Sequence, residues 1–188
     1  MNMKIEIYDF SKQYKNHIVT IEDIVINGRV SLIIGQNGSG KSTLLKAMCG
    51  IIKYCGTIEC NYKVCYMDEV FSYPSDIKLF TFLKLLNSTS ISPKKEEEIS
   101  KLLDYFNLTD KQDDDIQSLS KGMKAKVNII QCLLEKADIY LLDEPLSGLD
   151  KKGVELFKNY ILKSKNHFVI STHLNDELED LSDEVIYL

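Results

Sequence analysis

The sequence predicts an α/β fold in which a parallel sheet is interrupted by a largely helical insertion. Short apolar strands alternate with helix-like segments at both ends of the chain, and this alternation is typical of a parallel sheet. Between them, residues 77–134 have helical spacing and a more polar composition. We therefore expect one domain over residues 1–188, with a core at about 1–76 and 137–188 and a helical subdomain at about 77–136.

The first third of the chain contains mostly predicted strands. They lie at residues 4–10, 18–26, 30–34, 56–60 and 63–67, and residues 43–52 have helical spacing. The helical middle is broken near 87–93 and 108–118. The last part alternates again, with strands at 139–142, 167–171 and 184–188 and helices at 153–162 and 174–181.

Composition excludes several classes of protein. No apolar run approaches the roughly 20 residues that span a bilayer, and the N-terminus "MNMKIEIYDF" lacks the apolar stretch of a signal peptide, so we expect a cytoplasmic protein. The net charge is −5 and Arg29 is the only arginine, which disfavours nucleic acid as a partner. Five cysteines do not match paired C-x-x-C metal ligands and predict small buried thiols: Cys49, Cys55, Cys60, Cys65 and Cys132.

A glycine-rich segment follows the β-branched run "VSLII". The segment "GQNGSGKS", residues 35–42, fits the phosphate-loop pattern G-x-x-x-x-G-K-[ST], with a strand before it and a helix after it. The glycines let successive backbone N–H groups face phosphate oxygens, Lys41 can reach the β- and γ-phosphates, and Ser42 can bind Mg²⁺. The predicted nucleotide-binding residues are Gly35, Gln36, Asn37, Gly38, Ser39, Gly40, Lys41, Ser42 and Thr43. The alternative is a glycine-rich turn that binds nothing.

Two carboxylates follow a later apolar strand. In "IYLLDEP" they stand at the C-terminal end of the strand, where ligands of open α/β sheets bind. Asp143 is suited to coordinating Mg²⁺, and Glu144 to acting as the general base that activates water. His173 ends the next strand, "VISTH", and could reach a γ-phosphate. A structural role remains the alternative for each.

A third segment, "QSLSKGMKAKVNII", predicts a helix with an unusual charge at its start. Lys121, Lys124 and Lys126 crowd its N-terminus, where the helix dipole favours acidic residues. The residues alone do not explain this charge, and Lys124 and Lys126 could equally be solvated surface charges.

Together these segments resemble the ATP-binding cassette family, the nucleotide-binding subunits of ABC transporters. The matches, in family order and over nearly the whole chain, are Walker A at 35–43, the signature "LSKGM" at 119–123, Walker B at 139–144, the D-loop "SGLD" at 147–150 and the switch histidine at 173. The resemblance implies a P-loop NTPase core with a small antiparallel β part, and hydrolysis of ATP with Mg²⁺. It also implies a head-to-tail homodimer or cassette heterodimer in which Ser120 and Gly122 meet the γ-phosphate held by the other subunit.

The resemblance also assigns residues outside these motifs. Tyr14 lies where the family places an aromatic residue that stacks on adenine, although a packing tyrosine is the alternative. Glu69 stands where the family has the Q-loop glutamine, and its carboxylate could bind Mg²⁺ or water. Members usually continue beyond the last strand, "EVIYL", so we expect no C-terminal regulatory domain.

The functional expectation is the ATP-hydrolysing subunit of an ABC transporter. The LSKGM signature and Glu69 resemble bacterial exporters that work with a separate membrane subunit, which would hold this chain at the inner face of the membrane. Phe71, Tyr73 and Phe80 are candidates for contacting that subunit, or equally core residues. The alternatives are a soluble ABC-type ATPase in nucleic-acid or ribosome-associated work, and an assembly partner that binds ATP without cleaving it.

Overall fold

The computed structural model describes residues 3–173 and 177–188 and divides the chain into two compact units. The first, here called the β unit, comprises Met1–Asp68, Ala137–Pro145 and Ser164–Leu188. The second, the helical unit, comprises Glu69–Lys136 and Leu146–Lys163. The α/β class with an inserted helical subdomain is confirmed, and the helical unit also contains the later helix at Lys151–Lys163.

The β unit is built on a five-stranded parallel sheet. Its strands have the order β6-β7-β8-β4-β9. They are β4 (Val30–Ile34), β6 (Val64–Met67), β7 (Ile139–Asp143), β8 (His167–Thr172) and β9 (Glu184–Tyr187). Every residue of β4 and β7 is buried, as expected for central strands covered on both faces. Because the strands are parallel, the C-terminal ends of β4, β7 and β8 lie at one edge of the sheet.

A smaller antiparallel sheet completes the β unit. In it β1 (Ile5–Gln13) pairs with β2 (Ile18–Ile21), β3 (Ile24–Ile26) and β5 (Cys55–Glu59). The predicted strand at 18–26 is therefore two strands. Gly56 has φ +101° and lies so close to β1 that a Cβ there would be 2.4 Å from the carbonyl oxygen of Asp9, so only glycine fits without strain.

The two sheets and helix α1 (Lys41–Met48) share one hydrophobic core. Apolar side chains of β1, α1 and the parallel sheet meet there, including Phe10, Leu45, Leu141 and Val169. This burial fixes α1 directly after β4, and so fixes the loop between them.

The helical unit contains the other four α-helices of the described residues. They are α2 (Leu79–Thr89), α3 (Glu96–Tyr105), α4 (Lys121–Leu134) and α5 (Lys151–Lys163). Three acidic residues in the first turn of α3 match the dipole of that helix. Tyr105 of α3 donates a 3.1 Å hydrogen bond to the carbonyl oxygen of Leu156, and its ring packs edge-on to Tyr160, which explains why α5 belongs to this unit.

Two expectations are corrected. The segment 174–181 lies partly outside the described residues, and its described end is only a 3-10 turn at Glu179–Leu181 rather than an α-helix. Of the five cysteines only Cys132 is buried, while Cys55 is exposed and the others are half-buried. Cys55 stands on a mostly exposed strand of the small sheet, where strand alternation does not bury it. No helix among residues 3–173 and 177–188 has the length and apolar character required to cross a membrane.

Candidate functional site

The phosphate loop connects the buried strand β4 to α1. Gly38 and Gly40 have φ values of +86° and +110°, in the left-handed region that favours glycine. A Cβ on Gly40 would also lie 2.5 Å from Cγ1 of Val19. The helix begins at the next residue, Lys41, so its unpaired N–H groups and its positive dipole end are at the loop. This combination is the usual basis of phosphate binding.

Lys41 folds back over the loop from the first position of α1. It is buried, and its Nζ donates to the carbonyl oxygens of Gly35 at 2.7 Å and Gln36 at 3.2 Å. Inside the same loop, the Oγ atom of Ser39 is buried without a hydrogen-bond partner. An unpartnered buried hydroxyl is costly unless a ligand satisfies it, and a phosphate oxygen would do so. The loop therefore fits a nucleotide phosphate.

Asp143 ends β7 between the neighbouring strands β6 and β8. It is almost completely buried, and each of its oxygens accepts a hydrogen bond: Oδ1 from Ser171 at 2.5 Å and Oδ2 from Tyr66 at 3.2 Å. Burial, followed by the nearby charge of Asp143, raises the pKa of Tyr66, so its hydroxyl stays protonated as a donor.

Glu144 follows Asp143 in a left-handed backbone conformation, with φ +46°. Its carboxylate lies between two basic side chains. Oε1 is 3.8 Å from Nζ of Lys41, and Oε2 is 2.9 Å from Nδ1 of His173. His173 directly follows β8 and is about half exposed, whereas the side chain of Glu144 is 11% exposed. The structure therefore brings the three predicted catalytic residues together, with Glu144 contacting the other two, although they are far apart in sequence.

Tyr14 lies beside the start of α1. Its hydroxyl is 3.1 Å from Oγ1 of Thr43, and its ring stacks on His17 with centroids 4.9 Å apart. The ring also packs against the core of the β unit. Tyr14 therefore packs within the β unit, which was the alternative to stacking on adenine, and it also lies next to the phosphate loop.

Mg²⁺ fits the donor set of the β unit. In nucleotide sites this ion uses one or two carboxylates, substrate phosphates and water rather than an all-protein cage. Within the part of the chain that the structure describes, no group of three or more His, Cys, Asp or Glu side chains could hold a metal alone. Asp143 supplies a buried carboxylate and half-buried Ser42 a hydroxyl at the second position of α1. Another carboxylate of the β unit, Asp68, forms an ion pair with Lys46, with Oδ2 2.9 Å from Nζ.

The remaining predicted ligands, Ser120, Gly122 and Glu69, belong to the helical unit. Ser120 is exposed and caps α4, its Oγ accepting from the N–H of Met123 at 3.3 Å. Gly122 lies against the carbonyl oxygen of Gly148, which would be 3.2 Å from a Cβ. Glu69 is exposed and begins the unit.

The lysines at the start of α4 are not simply solvated. The chain of Lys121 covers Gly148, with Cε 3.2 Å from where a Cβ of that glycine would be. Nζ of Lys124 donates to the carbonyl oxygen of Gln117 at 2.7 Å. Lys126 is half-buried against Gly153. Of these three lysines only Lys121 is exposed, and it lies at the same end of α4 as the hydroxyl of Ser120.

Known proteins resemble this chain in sequence and in fold. The sequence pattern of the ABC transporter family matches residues 21–147, which is more than half of the chain. The chain belongs to the ABC transporter family. It is an ATP-binding subunit of an ABC transporter and an ATPase. It is 33% identical to an ABC transporter ATP-binding protein of Methanocaldococcus jannaschii, over all of this chain and 75% of that protein.

Other relatives differ in the transport named for them. The chain is 33% identical to the cytochrome c biogenesis ATP-binding export protein CcmA of Reclinomonas americana, over 78% of this chain and 73% of that protein. It is 31% identical to the zinc import ATP-binding protein ZnuC of Ehrlichia chaffeensis, over 85% and 74% respectively. Among solved structures, an ABC transporter ATP-binding protein from Pyrococcus furiosus is similar with a TM-score of 0.83 and 27% identity, over 98% of this chain and 97% of that one.

Sequence reasoning missed the hydroxyls around Asp143. Tyr66 of β6 and Ser171 of β8 stand on the two strands that flank β7. Their side chains lie on the same face of the sheet as the side chain of Asp143. The signal available was a polar residue, Ser171, directly after the apolar run "FVI" in a strand predicted to be buried, because a buried polar residue needs a partner. Sequence alone did not identify that partner.

Proposed function

We propose that this chain hydrolyses ATP with the residues gathered at the ends of β4, β7 and β8. The observation that carries the proposal is the Glu144 carboxylate, which contacts both Lys41 and His173. A largely buried acid between a phosphate-binding lysine and a histidine is placed to accept a proton from water next to a γ-phosphate.

We assign the following roles to these residues. Residues 35–43 hold the phosphates, with Lys41 moving from the loop carbonyls to the β- and γ-phosphate oxygens, and Tyr14 stacks on adenine. Ser42 and Asp143 hold Mg²⁺, with Glu69 as a further ligand that its negative charge makes suitable. Mg²⁺, when bound, neutralises charge on the phosphates. Glu144 accepts the water proton, and His173 holds the Glu144 carboxylate and reaches the γ-phosphate.

The site is completed by a second subunit. Ser120 and Gly122 at the start of α4 present free N–H groups and a hydroxyl, with Lys121 adding positive charge, and the helix dipole favours an anion there. We propose that this anion is the γ-phosphate bound by the partner, in a head-to-tail homodimer or cassette heterodimer. Lys121 then faces a ligand from another chain.

Mixing two inactive variants tests this composite site. Lys41→Ala removes the phosphate lysine of one subunit. Ser120→Asp keeps a good helix cap but sets a negative charge where the phosphate would bind, and Ser120→Asn is its neutral control with similar capping ability. Each of the first two variants alone should be nearly inactive. A mixed dimer contains one intact site, so an equal mixture should recover about one quarter of the parent rate, since half of the dimers are mixed.

The outcomes separate the possibilities. A mixture no more active than the sum of its parts would exclude a site shared between subunits. Ser120→Asn as inactive as Ser120→Asp would mean that the hydroxyl or the fold, rather than charge near the phosphate, explains the loss.

The chain is further proposed to drive export with a separate integral membrane subunit, which would hold it at the inner face of the membrane. Relatives named for export and for import are similar to it to nearly the same degree, so this proposal rests on the LSKGM signature and on Glu69. Val70 and Phe71 are exposed at the start of the helical unit, and the ring of Phe71 packs against the half-buried Tyr73. We propose that these residues, with the half-buried Phe80, offer an apolar surface for that subunit.

Metabolite profiling tests the direction of transport. Cells that lack this chain should accumulate at least one compound that the parent cells release into the medium, and Lys41→Ala should reproduce the change. Depletion of a compound inside the cells, with its retention in the medium, would instead indicate import.

A further inference from the structure

One buried hydroxyl contacts both acidic residues of the candidate site, through the carboxylate of Asp143 and the backbone N–H of Glu144. Ser171 of β8 is opposite Asp143 of β7 in the register of the parallel sheet, so their side chains share a face. Its Oγ donates to Oδ1 of Asp143 at 2.5 Å. The N–H of Glu144 donates both to the carbonyl oxygen of Ser171 and to its Oγ, each at 3.2 Å.

The hydroxyl is suited to this double contact. A serine hydroxyl has one donor hydrogen and two acceptor lone pairs. Its hydrogen goes to the Asp143 carboxylate, because a carboxylate can only accept, and a lone pair accepts from the Glu144 amide. Ser171 is fully buried, so no water competes for either bond.

The contact to Glu144 holds a costly conformation. A non-glycine residue at φ +46° is strained and persists only where its surroundings hold it. The left-handed turn directs the Glu144 side chain to Lys41 and His173. The N–H that Ser171 binds belongs to the residue that makes this turn.

We infer that Ser171 is a positioning residue for ATP hydrolysis, whose hydroxyl orients the Asp143 carboxylate and the Glu144 backbone together. It does not touch the substrate; it acts through the two carboxylates. The inference rests on the proposed function, in which Asp143 binds Mg²⁺ and Glu144 accepts the water proton.

The first test removes the hydroxyl. Ser171→Ala should lower turnover at saturating ATP by about 10- to 100-fold, as loss of a partner behind a metal ligand commonly does. A second readout is independent of hydrolysis: ATP affinity measured with Mg²⁺ and again in chelator. The ratio of ATP affinity with Mg²⁺ to ATP affinity in chelator should be at most half as large for the variant as for the parent. The affinity in chelator should stay within about twofold of the parent, because the phosphate loop is unchanged.

Ser31→Ala is the matched control. Ser31 is also fully buried in the parallel sheet, and its Oγ donates to a carboxylate, Glu184, at 2.9 Å. Ser31 and Glu184 stand near the N-terminal ends of β4 and β9, at the edge of the sheet opposite the phosphate loop. The control therefore removes the same kind of bond away from the site, and both turnover and the Mg²⁺ effect should remain those of the parent.

Two further variants separate the hydroxyl from packing. Ser171→Thr and Ser171→Val add side chains of nearly equal size to the same buried position, but only threonine keeps the hydroxyl. Threonine should retain most of the turnover, whereas valine should resemble alanine. Equal activity of the two, with equal thermal unfolding, would refute a role for the hydroxyl.

Failure of this inference can be distinguished from failure of the proposed function. Asp143→Asn and Glu144→Gln are measured alongside. If both are impaired while Ser171→Ala has parent turnover and Mg²⁺ response, the positioning role is wrong and the assigned roles stand. If Asp143→Asn and Glu144→Gln have parent activity, the proposed function itself is wrong.

Discussion

Replacing Glu144 with glutamine isolates its role as a base. Glutamine keeps the length of the side chain and an acceptor oxygen for His173, whose Nδ1 is 2.9 Å away, but it cannot take a proton from water. General-base catalysis typically contributes 10²- to 10⁴-fold. Because each tenfold change in rate corresponds to about 1.36 kcal/mol, the barrier should rise by roughly 2.7 to 5.4 kcal/mol.

Binding of ATP should survive the same change. The charge lost lies 3.8 Å from Nζ of Lys41, and at an effective dielectric of about 20 that attraction is roughly 4 kcal/mol before desolvation. The neutral side chain releases Lys41 for phosphate and removes a negative charge from beside it. We therefore expect ATP affinity equal to or higher than that of the parent. A Mg·ATP-bound dimer should accumulate, because ATP hydrolysis no longer allows the dimer to dissociate.

Three measurements check this prediction. They are phosphate release at saturating Mg·ATP, ATP affinity by calorimetry, and molar mass by light scattering with and without Mg·ATP. Glu155→Gln on the exposed face of α5 is the control for the change in net charge. Turnover within about threefold of the parent would refute a base at this position, and Glu69 would be the next residue to test.

Three other predictions concern assembly, metal and stability. Specific ATPase activity of the isolated protein should rise with its concentration, and activity per molecule that is constant on dilution of a monomer would contradict a shared site. Glu69→Gln should weaken the apparent affinity for Mg²⁺ and leave nucleotide binding in chelator unchanged or tighter; identical Mg²⁺ titrations would show that the position is remote from the metal. Gly56→Ala should lower the free energy of unfolding by about 2 kcal/mol or more, because its Cβ meets the Asp9 carbonyl. Gly50→Ala, at φ +74° with nothing within 4 Å of its Cβ, should cost only about 1 kcal/mol in a denaturation experiment.

Local features of the site could be predicted from the sequence by itself. The phosphate loop is contiguous, and its glycines, Lys41 and the following helix start depend on backbone geometry within a few residues. The same holds for the start of α4 beside its lysines and for the two carboxylates at the end of β7. Alternation of strands and helices predicted the parallel sheet, because parallel strands require crossover connections.

Contacts between distant residues were decided only by the tertiary structure. The strand order β6-β7-β8-β4-β9 sets Tyr66 and Ser171 on either side of Asp143, and the sequence carries no mark of that order. The exposure of Cys55 likewise depends on which face of its strand the sheet leaves open. Spacing along a strand fixes which side chains share a face, but the neighbours they meet depend on strand pairing, which is a property of the whole fold.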